Sequence, residues 1–171
     1  MLRRLVLRRL DAEERKLGGV SVEYLRHVAR ASLPAFLKFA LFTPLAGHRK
    51  KLPADAYHLA RVVAVRHEDC GTCVQIEVNL ARKDDVAPEL LRAALEGRFD
   101  DLPPHLADAC RFARAVCERG DDAELRERLR ARHGDEGLVE LALAVAAARV
   151  FPTTKRALGY ATSCSLVEIE V

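Results

Sequence analysis

Apolar residues recur every three to four positions along most of this chain, and proline or glycine stands at most of the interruptions. Residues 2–16 interleave leucines and Val6 with charges and stop at Gly18-Gly19, which predicts an amphipathic helix. Val22, Leu25, Val28 and Ala29 mark a second helical stripe. Pro34 opens a third helix, anchored by Phe36, Phe39 and Leu41 and stopped by Pro44 and Gly47. After Pro53 a long helix is predicted from Ala54 to Arg66, with Leu59, Val62, Val63 and Val65 as its stripe. The chain breaks at HEDCG and resumes as a helix from about Cys70 to Ala81.

The second half continues in the same style. Pro88 opens a short helix that Gly97 closes, and Pro103-Pro104 open another whose inner positions are Leu106, Cys110, Ala113 and Cys117, closed by Gly120. A charged helix from Asp122 to Arg132 is followed by an apolar one from about Glu136 to Phe151, with Asp135 as its N-cap. Pro152 is expected to end that helix and leave a further short one through Tyr160. The last residues, SLVEIEV, alternate as a strand or form a tail.

Composition sharpens this into a fold class. The set AVILMFWYC makes up 50 % of 171 residues, aromatics only 5 %, and Trp is absent, so the core is built from Leu, Val and Ala, which suits close-packed helices. The expectation is an all-α, single-domain helical bundle. Residues 1–52 supply N-terminal helices packing on the core, 53–160 the helical core, and 161–171 a tail.

The net charge, 28 − 25 = +3, is too small to announce a nucleic-acid partner. The basic cluster within residues 1–20 and the knot His48-Arg49-Lys50-Lys51 read as solvated faces. Arginines interrupt the apolar residues of the first segment before a leader-type apolar region develops, and no apolar run reaches the ~18 residues of a membrane span. Five cysteines, an odd number, fit a reducing, cytoplasmic address better than a disulfide scaffold. Nucleotide-loop, zincin, nucleophile-elbow and EF-hand motifs are absent.

The chemistry concentrates in HEDCGTCVQIE, His67 to Glu77. The spacing of Cys70 and Cys73 places both thiols on the first turn of a helix, where small movements join or part the sulfurs. First-turn amides favour a thiolate; Glu68 and Asp69 oppose one, so the local field leaves the reactive sulfur open. His67, three residues before Cys70, is a candidate to act on a thiol, and Tyr57 to place a hydroxyl beside it. The competing readings are an inert buried pair and a zinc site drawn from Cys70, Cys73 and His67, with Glu77 along the same side. Cys110 and Cys117 read as core residues, and Cys164 as a passive thiol near the end of the chain.

Over Pro53 to Ala81 the chain resembles the carboxymuconolactone decarboxylase-like family, in its alkylhydroperoxidase D-like dithiol branch. The run HLARVVAVRHEDCGTCVQIE matches the family's CxxC outright. His58 stands where the family has a glutamate, and Glu77 where it has a histidine. The resemblance implies a thiol-disulfide oxidoreductase, with hydroperoxide reduction as one form of it. Cys73 would attack, Cys70 would resolve, and His58 and Glu77 would form a proton relay from exchanged positions. It implies no cofactor, a thioredoxin-like or lipoamide-bearing electron donor, a small hydroperoxide or disulfide substrate, and a homo-oligomer such as a trimer or hexamer. The alternatives are a decarboxylase of small lactone carboxylates and a noncatalytic helical oligomer.

Overall fold

The helix boundaries follow the proline and glycine punctuation closely. The structure, a computed structural model, describes residues 2–161, and all regular secondary structure among them is helical. Helix α1 (Leu2–Lys16) ends at Gly18 and Gly19, both in the left-handed region. Helix α2 (Glu23–Ala31) runs into Ser32, whose hydroxyl accepts from the Ala35 amide at 3.3 Å and starts α3 (Leu33–Ala40). Then come α4 (Phe42–Ala46), α5 (Ala54–His67), α6 (Gly71–Lys83), α7 (Pro88–Glu96), a 3-10 turn (Phe99–Asp101), α8 (Pro104–Cys117) and α9 (Ala123–Ala157).

Helix α5 is the axis of the molecule. Every residue from Ala56 to Val65 is buried, as befits a helix packed on all sides. Ala56, Ala60 and Ala64, each 0 % exposed, let neighbouring helices approach closely. α6, α7, α8 and α9 all pack against it, and Cys110 and Cys117 lie in the shared core as free thiols, as their spacing predicted. The N-terminal helices form a smaller cluster around Leu10, Val22, Ala29 and Phe36. The segment between the two clusters is pinned by Glu140, 1 % exposed on α9, whose carboxylate accepts from the amides of Lys50, Lys51 and Leu52 at 2.8–3.2 Å.

Two prolines behave differently from expectation. Pro44 does not stop a helix; it lies in the first turn of α4, where its missing N–H would have had no partner anyway. Pro152 does not end the apolar helix either. α9 runs through it to Ala157, and the Thr153 and Thr154 hydroxyls donate to the carbonyls of Arg149 and Val150 around the lost backbone bond. The break within α9 is at Gly134 (φ 72°, ψ 177°), which separates the charged stretch from the apolar one near the predicted boundary.

By length and composition α9 alone among the described residues is long and apolar enough to cross a membrane, a property the run-length argument missed; 44 % of its most apolar window is buried inside the protein. Cys164 and the SLVEIEV segment lie outside the described residues.

Candidate active site

α5 and α6 are antiparallel, and their polar side chains form a ladder. Arg61 faces Glu77, and one turn further His58 faces Asp84 at the end of α6. The cysteine pair lies at the opposite end of α6. The turn that delivers it, Glu68-Asp69-Cys70, places Asp69 in the left-handed region (φ 48°), a conformation Asp tolerates better than most residues. That turn is tied to α9: the buried Glu68 carboxylate accepts from Arg149 Nε at 2.5 Å, and Arg156 lies 3.5 Å from it.

Cys70 therefore becomes the N-cap residue of α6, its carbonyl accepting from the amides of Cys73 and Val74 at 2.9 and 3.0 Å. Both cysteines are buried, Cys70 at 0 % and Cys73 at 7 % exposure, and both are free. Their sulfurs stand 2.7 Å apart. Around them the structure assembles residues that the sequence reading did not single out. Thr72 Oγ1 is 3.6 Å from Cys70 Sγ. The ammonium of Lys155, arriving on α9 just past Pro152, donates to Thr72 Oγ1. Tyr24 packs in from α2, its phenol pushed up in pKa by burial and by the charges of the two sulfurs.

The two thiols are not equivalent. The hydrogen bond it shares with Cys73, helped by Thr72, by the Cys73 amide and by Lys155, brings Cys70 down to about 5 against the burial that opposes it. Cys73 is pushed well above the ordinary thiol range by the same bond, by burial and by the Cys70 charge. The surroundings therefore favour charge on Cys70 over Cys73. The resemblance implied attack by Cys73; in the structure it is Cys70, as N-cap, that has the helix amide, the Thr72 hydroxyl and the Lys155 cation on its own side.

The proposed relay is also corrected in part. Glu77 does lie one turn beyond Cys73, about 6 Å along the helix axis. It is held by Arg61 in a two-pronged pair at 2.5 and 2.8 Å, with both residues under 6 % exposed. Arg61 also donates to the carbonyl of Ala46 at 2.9 Å and packs over the Tyr57 ring. Burial works against the Arg61 charge, and Glu77 outweighs it. His58 Nε2 lies 3.0 Å from Asp84 Oδ2, and Asp84 also accepts from Arg49 at 3.0 Å. Burial lowers the His58 pKa although Asp84 opposes it. His58 and Glu77 thus belong to adjacent pairs with separate partners, and His58 stands a turn beyond Glu77 from the sulfurs.

The remaining candidates fall away from the sulfurs. His67 is exposed at the end of α5 and bonds to neither sulfur. The Tyr57 hydroxyl donates to the Ala46 carbonyl at 2.5 Å rather than to the site. Among the described residues no group of three or more His, Cys, Asp or Glu side chains converges to hold a metal, so the zinc set of Cys70, Cys73 and His67 is not assembled.

Comparison with family models, curated proteins and solved structures found no match, so the chemistry rests on this geometry. Buried, adjacent thiols in unequal surroundings can do two things in succession: attack an electrophile, then close on each other.

Proposed function

We propose that the chain is a dithiol oxidoreductase of the carboxymuconolactone decarboxylase-like type, reducing small hydroperoxides through Cys70 and Cys73. The observation that carries this reading is the pair of free, buried sulfurs 2.7 Å apart, with the Thr72 hydroxyl and the Lys155 ammonium beside Cys70. The Cys70 thiolate attacks the distal peroxide oxygen, the O–O bond breaks, and the departing alkoxide takes a proton, giving an alcohol and a Cys70 sulfenic acid. Cys73 then displaces hydroxide, which leaves as water with the Cys73 proton, and the Cys70–Cys73 disulfide forms. The pair has lost two electrons and the peroxide has gained them.

The burial of both sulfurs favours a small oxidant over a protein disulfide in the first step. Re-reduction takes a dithiol donor of the thioredoxin-like or lipoamide-bearing class. Its thiolate attacks Cys73, the sulfur with the residual exposure, and expels Cys70, the better leaving group because its thiol is the more acidic. The donor leaves as its own disulfide and the two protons return to the pair.

A cytoplasmic address suits free thiols of this kind. A homo-oligomer, a trimer or hexamer, fits the exposed Leu37, Leu41 and Leu45 of α3, α4 and the residue between them. Lactone decarboxylation leaves the paired sulfurs without a task.

Stoichiometric peroxide added to the reduced chain, followed by peptide mapping, tests the reading. The expected product is a Cys70–Cys73 disulfide that dithiothreitol reverses. Oxidation confined to other residues, with this pair untouched, overturns it.

A further inference from the structure

Lys155 is a buried cation without a carboxylate partner among the described residues. It is 6 % exposed, and among the described residues its ammonium has one hydrogen-bond partner, the Thr72 hydroxyl. No Asp or Glu forms an ion pair with it there; the nearby carboxylate of Glu68 is taken by Arg149 and Arg156. Buried charges persist when they are paired, and leaving one alone costs several kcal/mol. The group on the other side of Thr72 is Cys70, its sulfur 3.6 Å from Thr72 Oγ1.

We propose that the Cys70 thiolate is the counter-anion of Lys155, with the Thr72 hydroxyl accepting from the ammonium and donating to the sulfur, so that α9 selects which cysteine of the pair is the nucleophile. This rests on the dithiol reading above and adds its control element. The charged and titratable groups facing Cys70 are Cys73 and, one turn further, Glu77 on α6, the Tyr24 phenol from α2, and Lys155 from α9. Arg156, also from α9, sits 3.5 Å from the Asp69 carbonyl in the turn. Of these, Lys155 is the cation wired to the sulfur through a hydroxyl. Lys155 also acts on Cys73 through space, ahead of the opposing Glu77 carboxylate, but Cys73 has no hydroxyl link to it.

Two consequences follow. Cys70 ionises well below a free cysteine, whose pKa is ~8.5. The reduced pair is also stabilised relative to its disulfide, since only the reduced form holds the anion that Lys155 needs; the disulfide is therefore the stronger oxidant for it.

Thiolate absorbance of the reduced full chain, titrated against pH and referenced to the Cys70→Ser protein, reads the first consequence without any peroxide. Lys155→Met keeps the aliphatic stem and removes the charge; it should move the Cys70 ionisation upward by about one to three pH units. Lys155→Arg should hold it near the parent value, and Thr72→Val should move it part of the way. Equilibration with oxidised and reduced glutathione reads the second: Lys155→Met should favour the disulfide by about tenfold, or ~30 mV.

An ionisation profile unchanged in both Lys155→Met and Thr72→Val overturns the proposal, as does neutral-pH ionisation of Cys73 in place of Cys70. Thr72→Val alters a half-buried site, so it reports even if Lys155→Met does not fold. The two readings fail separately: a shifted profile without peroxide-driven disulfide formation removes the peroxidase, and a disulfide without a shifted profile removes Lys155.

Discussion

The helix pair α5–α6 carries buried polar groups at both ends, and the two ends are built on opposite principles. Toward the far end, Arg61 meets Glu77 in an ion pair and His58 Nε2 meets Asp84 in a hydrogen bond, so each side chain is held by one from the other helix or its cap. At the near end a buried ammonium bonds to the Thr72 hydroxyl beside the two thiols and has no carboxylate partner among the described residues. The same burial therefore produces stability in one place and reactivity in the other. The saturated pair is Arg61–Glu77; one turn further, His58 Nδ1 is buried with no hydrogen-bond partner among the described residues.

The largest effect should come from breaking the saturated end. Arg61→Met strands the Glu77 carboxylate in the core and should cost about 3–5 kcal/mol of stability by chemical denaturation. Replacing both partners together, Arg61→Met with Glu77→Leu, should recover most of that loss, because no charge is left behind. A single variant as stable as the parent would show that the pair does not carry the load assigned to it.

A smaller effect separates His58 from the chemistry. Burial holds its folded-state pKa below the ~6.5 of an unfolded histidine. Between those values the unfolded chain binds a proton that the folded chain refuses, so this contribution is fully present above about pH 6.5 and fades as pH falls toward the folded value. His58→Gln should flatten that part of the stability–pH curve while leaving peroxide-driven closure of the disulfide at its parental rate. A slowed closure with an unchanged stability curve would restore His58 to the proton relay.

Much of this contrast was legible in the sequence, and the rest was hidden for identifiable reasons. Periodicity and punctuation located the helices because a Leu-, Val- and Ala-rich chain has little besides helical faces to bury. The CGTC motif located both sulfurs, since spacing of three at a helix start is a local property. Which sulfur holds the charge was not local. Lys155 is 82 residues beyond Cys73 and follows a proline that reads as a stop, whereas α9 continues through it. Thr72 lay inside the motif, but a hydroxyl gains significance only when a cation stands behind it. Arg61 left a fainter mark, a lone charge in the apolar run LARVVAV, which in a fully buried helix demands a partner on the next one. The exchange at His58 and Glu77 suggested a pair acting on each other; antiparallel packing instead gives each its own partner.

The central claim is that the charge-deficient end makes Cys70, not Cys73, the reacting sulfur. The most direct measurement is single-turnover oxidation of Cys73→Ser and Cys70→Ser by stoichiometric peroxide, with the sulfenic acid trapped and located by mass spectrometry. The account predicts a rapid sulfenate on Cys70 in the Cys73→Ser protein and no burst in the Cys70→Ser protein. A sulfenate formed on Cys73 when Cys70 is absent, with none on Cys70 when Cys73 is absent, would contradict it.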